Sequence, residues 1–202
     1  MLVNIFFERE IAMRVSREQA RENREKVVSV SSALFREKGV DGVGIADLMS
    51  QAGLTHGGFY KQFESKAQLV EEACAAALGQ TLGFWETYLD GVADRRTAFI
   101  RAYLSDKHRD SVAQGCLLPA LAGEAARQPD NIRTIFARAI RIYADLLAPA
   151  EGSPAESRAL ALRTLSAMVG AVVLARASND PALSEELLRA VRAQYAGEPA
   201  DG

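Results

Sequence analysis

Apolar residues recur at helical spacing along most of the chain. Val27, Val28, Val30, Leu34 and Phe35 form one stripe; Ile45, Leu48 and Met49 form a second, shorter one. They predict a helix over 16–38 and another over 44–52. The first opens with Ser16-x-x-Gln19, which fits a capping box, and ends at Gly39. Gly53 directly follows the second helix, where a left-handed residue ends a helix without a Cβ penalty. Leu54 can turn inward and pin the turn, and Thr55 stands where a side-chain N-cap belongs. Phe59 and Phe63 then lie four residues apart on an inward face. The opposite face carries Thr55, His56, Lys61 and Gln62, with Tyr60 at its edge. Ser65-x-x-Gln68 starts a further helix expected over 66–89.

The later pattern is also helical. Helices are expected over 94–107, from Cys116 to about 127, over 130–147, over 154–178 and over 181–195. Pro119 is tolerable in a first turn. Ser153-Pro154-x-Glu156 combines an N-cap, an N1 proline and an N3 glutamate. Residues 165–175 are apolar nearly all round, so that helix must be covered on most sides. Asn179-Asp180-Pro181 starts the last helix, with Leu183, Leu187, Leu188 and Val191 on one stripe.

Two short helices joined by a glycine turn make a helix-turn-helix, with the second helix as the reader of DNA. The residues Ala52-Gly53-Leu54-Thr55, Phe59-Tyr60, Phe63, Ser65-Lys66 and Leu69, with Arg24, Val27, Val28, Leu34, Phe35 and Gly39 before them, resemble the DNA-binding domain of the TetR family of bacterial transcriptional regulators. The resemblance covers residues 17–75 and implies an all-α fold: a three-helix DNA-binding domain at 16–66 and a helical ligand-binding and dimerisation domain at 67–196. It further implies a one-component homodimeric regulator that binds a near-palindromic double-stranded operator. Release is expected from a small-molecule inducer, and dimerisation from residues 154–195. In this family Tyr60 corresponds to a phosphate-contacting tyrosine, and Lys66 lies where a phosphate is met. Gly44 departs from the usual Thr or Ser and supplies no hydroxyl.

Candidate DNA contacts are thus Arg24, Thr55, His56, Gly57, Gly58, Tyr60, Lys61, Gln62 and Lys66. Gln pairs bidentately with adenine, Lys with guanine, and Thr touches a thymine methyl. Gly57 and Gly58 offer no side chain and cost ~1 kcal/mol each against Ala in a helix. They serve either close backbone approach to DNA or a loosely ordered helix. Arg17, Arg21 and Arg24 reach phosphates from the first helix or form a solvated face balanced by Glu18, Glu22 and Glu25.

Charge adds little. The chain carries 24 Lys+Arg against 26 Asp+Glu, net −2, so binding rests on a few local cations rather than a bulk basic patch. Residues 1–15 stand apart as a possible disordered extension. Met13-Arg14-Val15-Ser16 would be a natural start, the alternative being a short apolar arm that packs on a partner surface. The tail 197–202 reads as disordered. The opening segment does not read as a secretory signal, no run of eighteen apolar residues indicates a spanning helix, and the two cysteines give no disulfide framework, which suits the cytoplasm. His56 and His108 have no companion ligands, so no metal is expected, nor any cofactor. Enzyme motifs are absent too, which disfavours an all-α carrier or enzyme.

Trp85, Tyr88, Phe99, Tyr103, Cys116, Phe136 and Tyr143 are candidates to line a ligand cavity, although aromatic residues at helical spacing also build plain core. Gln114-Gly115-Cys116-Leu117-Leu118 is similar to a Gly-Cys-Leu segment in electrophile- and oxidant-sensing members of the family. A thiolate near a helix N-terminus is more reactive, so redox sensing through Cys116 stands beside reversible binding; a buried small hydrophobe is the plainer reading.

Overall fold

The computed structural model describes residues 2–197, with side chains from Arg17 onward. Among these residues the chain forms nine α-helices and one short 3-10 segment. Helix α1 is Leu2–Lys38. Its backbone runs unbroken through Ser16, so the expected cap there is not a helix start and the expected extension over 1–15 is helical from Leu2. The run Glu-Arg-Glu-Ile-Ala-Met-Arg-Val before Ser16 contains mostly good helix formers and no breaker. The alternative start at Met1, the side-chain contacts of the arm and the tail 198–202 fall outside the described residues.

Helix α1 ends as expected at Gly39, whose φ of +76° is left-handed. Helix α2 is Ile45–Gln51, with Gly44 at its N-cap and no side-chain cap. Gly53 takes φ +69°; its N–H donates to Ser50 O at 2.9 Å and that of Leu54 to Met49 O at 2.8 Å. The reading segment differs from expectation. His56–Lys61 is a six-residue 3-10 helix, and Thr55 at its N-cap makes no side-chain cap. Adjacent Gly57 and Gly58 disfavour α-helix propagation, and a 3-10 turn suits so short a piece.

Helix α3 (Lys66–Tyr88) is capped by Ser65 Oγ, which accepts from Gln68 N. Gln68 Oε1 reaches back to Glu64 N rather than to Ser65. The helix expected over 94–107 is two: α4 (Arg95–Tyr103), capped by Asp94, and α5 (Asp106–Asp110), capped by Ser105. The Ser105 hydroxyl accepts from His108 N and so starts a new helix where the old one ends. Then follow α6 (Leu117–Ala125), α7 (Asp130–Leu147), α8 (Pro154–Ala177) and α9 (Pro181–Ala196). The Ser153/Glu156 capping box forms as predicted.

Buried side chains from both halves make one continuous core, from Val27 through Phe59, Trp85 and Phe99 to Leu188. Helix α3 packs along α1 and reaches α7, so the head and the regulatory half are joined without a linker. Helix α8 buries one stripe, including Leu165, Met168 and Val172, against α7 and α9. Its other face leaves Leu162, Val173 and Leu174 exposed, beside exposed Leu183 of α9. Among the described helices, α8 is the one long and apolar enough to cross a membrane by length and composition; its buried stripe is what the core helix of a packed bundle also shows.

Gly39 meets two demands at once: its backbone is left-handed, and a Cβ at this position would lie only 2.5 Å from Glu124 Oε1. Gly39→Ala should therefore lower stability by about 1–2 kcal/mol, read as a lower urea midpoint with an unchanged slope.

Candidate nucleic-acid interface and regulatory cavity

The head is held from beneath by Leu48, Met49, Phe59 and Phe63, all buried. The Phe59 and Phe63 rings stack at 5.4 Å. Thr55, His56, Gly57, Tyr60 and Lys61 are exposed on the outer side, Tyr60 at 65%. The His56 and Tyr60 rings meet edge to face at 6.3 Å. A Cβ on Gly57 would meet nothing within 4 Å, whereas one on Gly58 would touch Met49 Cε at 3.5 Å. Gly57 thus leaves open surface where backbone can approach a duplex, and Gly58 lies partly against the core.

Three expected contacts are drawn inward instead. Arg24 is half-buried: it donates to Gln62 O and to the Glu72 carboxylate, and its guanidinium lies 4.3 Å from the Phe63 ring centre. It fastens the end of the reading segment to α1 and α3, because packing on Phe63 draws it away from solvent. Gln62 turns its side-chain carbonyl inward, where it is buried without a partner. Lys66 Nζ donates to Val40 O at 2.7 Å, leaving its remaining protons free. Lys26 is not among the expected contacts, yet it is exposed and its ammonium lies 3.4 Å from the position of a Gly53 Cβ. It stands over the turn, and helical spacing from Val27 and Leu34 is the only sequence signal for it.

A cavity of about 460 Å³ lies in the regulatory half between α3, α4, α5 and the loop before α6. Of the predicted lining residues, Trp85, Tyr88 and Cys116 border it. Phe99, Tyr103 and Tyr143 do not; they are wholly buried core. Phe136 borders a separate surface hollow beside Ile140. The spacing places all seven on inward faces but cannot separate a lined void from a filled one. Lining residues that it does not single out include Phe84, stacked on Tyr88 at 5.8 Å, and His108.

His108 ties the cavity wall together. Its Nδ1 is 2.7 Å from Tyr103 O, which only accepts, so Nδ1 carries the proton. Nε2 then accepts from Cys116 N–H at 3.1 Å. Burial pushes the ring down to about 4 from its ordinary value of 6.5 and keeps it neutral. Cys116 is the N-cap of α6, its sulfur accepting from Leu118 N at 3.4 Å. Burial raises this thiol, against the smaller lowering effect of Leu118 N–H and the Tyr103 and Tyr143 hydroxyls. Full burial and a raised pKa are the reverse of a reactive cysteine. Cys74 is packed in the core and pushed up to about 11 by burial.

Two bonds link this wall to the head. Arg36 on α1 is buried; it donates to Gly115 O at 2.8 Å, to Ser32 O and Oγ, and to Gln80 Oε1. At the other end of α6, Glu124 Oε2 accepts from Val40 N at 2.9 Å.

This head matches the family described as "Bacterial regulatory proteins, tetR family" over residues 27–73, and residues 93–194 match "Transcriptional regulator LmrA/YxaF-like, C-terminal domain". The chain belongs to the TetR family. It is a helix-turn-helix transcriptional regulator and not an enzyme. An uncharacterized HTH-type transcriptional regulator of Mycobacterium tuberculosis is 29% identical over 167 residues, covering 78% of this chain and 86% of that protein. The crystal structure of a TetR transcriptional regulator from Chloroflexus aurantiacus superposes with a TM-score of 0.73 at 28% identity, over 89% of this chain and 94% of that one. AibR, solved in complex with isovaleryl coenzyme A and operator DNA, shares the fold at TM-score 0.61 and 12% identity, over 87% and 98%.

The depressed His108 pKa makes stability pH-dependent with a defined sign. The unfolded chain takes up this proton first, near 6.5, so the contribution is complete above that pH and is lost as pH falls toward 4. The loss amounts to at most ~3 kcal/mol. His108→Gln should flatten this part of the profile, seen as a smaller drop in urea midpoint between pH 7 and pH 4.5 than in the unsubstituted protein.

Proposed function

We propose that this TetR-family regulator is a homodimeric repressor that binds a near-palindromic operator and leaves it when a small molecule enters the cavity beside Cys116. The observation that carries this reading is helix α6. One end forms the cavity wall and is bonded through Gly115 to Arg36; the other holds Val40 through Glu124. A ligand that moves this wall moves the end of α1 and the turn before α2. Release follows if the ligand favours a conformer whose head spacing mismatches the operator. The complex of AibR with both isovaleryl coenzyme A and operator DNA supports such a two-site arrangement.

Dimerisation uses α8 and α9, whose exposed Leu162, Val173, Leu174 and Leu183 lie on the outer side. Two-fold symmetry then sets two heads about 34–36 Å apart, one turn of B-DNA. Thr55, His56 and Lys61 read bases. Tyr60, with Lys66 and Lys26, meets phosphates, and Arg24 positions the reading segment. The protein works in the cytoplasm with the chromosome. Covalent sensing at Cys116 is disfavoured by its full burial and raised thiol.

Selection of genomic fragments by the purified protein, followed by footprinting, tests the reading. A protected near-palindrome beside a promoter is expected; a folded dimer with no preference over random DNA at moderate salt would overturn it. Within that assay, Tyr60→Ala should weaken operator and random DNA alike, whereas Lys61→Ala should reduce the operator-to-random ratio by about tenfold. Equal losses on both DNAs from both changes would reverse these roles. Cys116→Ser should leave operator release by the cognate inducer intact.

A further inference from the structure

The core behind the cavity wall holds a cluster of buried, poorly satisfied hydrogen-bonding groups. The Trp85 indole N–H, the Tyr103 and Tyr143 hydroxyls and Arg176 Nη1 are all buried without a partner. They are neighbours: both hydroxyls lie beside the Cys116 sulfur, Trp85 approaches the Tyr143 hydroxyl, and Arg176 faces Tyr103 and Cys116. A thiol sulfur is a weak acceptor, and although the two hydroxyls can accept as well as donate, neither has a partner at normal hydrogen-bond geometry. Each buried donor left unpaired costs about 1–3 kcal/mol, and native proteins hold few of them. Trp85 and Cys116 also border the cavity, so the cluster and the void share a wall.

The charge around the void has one sign. Among the described residues that line it none is Asp or Glu; Lys107 is positive and His108 is neutral. Arg176 hydrogen-bonds only backbone carbonyls, Arg109 O and His108 O; the nearby Asp110 carboxylate acts on it through space but does not bond it. The outer rim is apolar and aromatic, with Phe84 and Tyr88 stacked and half-exposed.

We propose that the cavity takes an organic monoacid, its carboxylate accepting from the Trp85 indole and the Tyr103 and Tyr143 hydroxyls within the field of Arg176, and its apolar body lying against Phe84 and Tyr88. This rests on the ligand-cavity reading above and names its ligand class. A carboxylate supplies several strong acceptor sites at once, and the nearby guanidinium offsets its desolvation. To reach the hydroxyls the head displaces the Cys116 edge of the wall, the same stretch of loop that bonds His108 and Arg36.

Trp85 is the single tryptophan of the chain, so its fluorescence reports this wall. The full-length protein is titrated with 4-tert-butylbenzoate, 4-tert-butylbenzamide and 4-tert-butylbenzylamine, one body with an anionic, a neutral and a cationic head. The acid should perturb Trp85 with an affinity at least about tenfold above the other two. Tyr143→Phe and Tyr103→Phe should each weaken the acid by about tenfold and leave the amide unchanged. Neither should lower the thermal midpoint appreciably, since each removes only a hydroxyl set against the weakly accepting Cys116 sulfur, and that control separates lost binding from lost folding. An amide or amine that binds as tightly as the acid, or acid binding indifferent to both Phe variants, overturns the acid class while leaving the cavity reading in place. Silence of Trp85 to all three probes overturns both.

Discussion

The buried guanidinium of Arg36 is the constraint on which the arrangement depends. It sits in the seam where α1, α3 and the loop before α6 meet, 4% exposed. Its acceptors are all neutral and come from all three elements: Ser32, Gln80 and Gly115. A buried charge without a carboxylate is tolerable only while every acceptor stays in place. Moving Gly115 away therefore destabilises the seam, and the loop is pinned to α1. Val40, two residues past the end of α1, is pinned from both of its backbone groups: Glu124 of α6 takes its N–H, and Lys66 of α3 holds its carbonyl. The regulatory half and the reading head thus compete for one short segment. A nine-residue helix with a tie at each end is stiff along its axis.

How much of this is legible in the sequence follows from the range of each interaction. The glycine turn at Gly53, the Ser65 cap and the Ser153/Glu156 box are decided within four residues, and all three form where the pattern places them. The split at Ser105 is equally local but is hidden because the apolar spacing runs across it. The 3-10 form of the reading segment reflects two glycines whose cost is visible but whose consequence depends on the packing of Phe59 and Phe63. The fates of Arg24, Arg36 and Glu124 are not legible. Each is an ordinary charged residue in its own helix, and its role comes from partners 48, 79 and 84 positions away. The same holds for the cavity: helical spacing says that Phe99 and Trp85 face inward, but only the assembled bundle shows which of them borders a void.

Net charge is a poor guide for a related reason. A chain of net −2 has no bulk attraction for a polyanion, and the exposed polar side chains at the reading segment are few: Lys61, Tyr60 and His56, with Lys26 above the turn. Internal bonds engage the cations on either side, Arg24 on Glu72 and the Gln62 carbonyl, and Lys66 in part on Val40. Those bonds hold the segment at a fixed height and angle, so the charge used inside the fold sets the geometry in which the remainder acts. Orientation rather than bulk attraction is what a reader of base edges requires.

The aromatic layer between cavity and core points the same way. Trp85, Phe99, Tyr103 and Tyr143 pack ring against ring, with centroids 4.7 Å apart for Trp85 and Phe99 and 5.8 Å for Phe99 and Tyr143. Phenylalanine at 103 and 143 would fill the same space and strand no hydroxyl. A layer selected for stability alone would favour that composition, since an apolar replacement for an unpaired buried polar group is neutral or better. Local rules are broken without compensation chiefly where a site requires it. The poorly satisfied hydroxyls lie beside Cys116, the N-cap of α6, so the least satisfied part of the core adjoins the helix that is tied to the head.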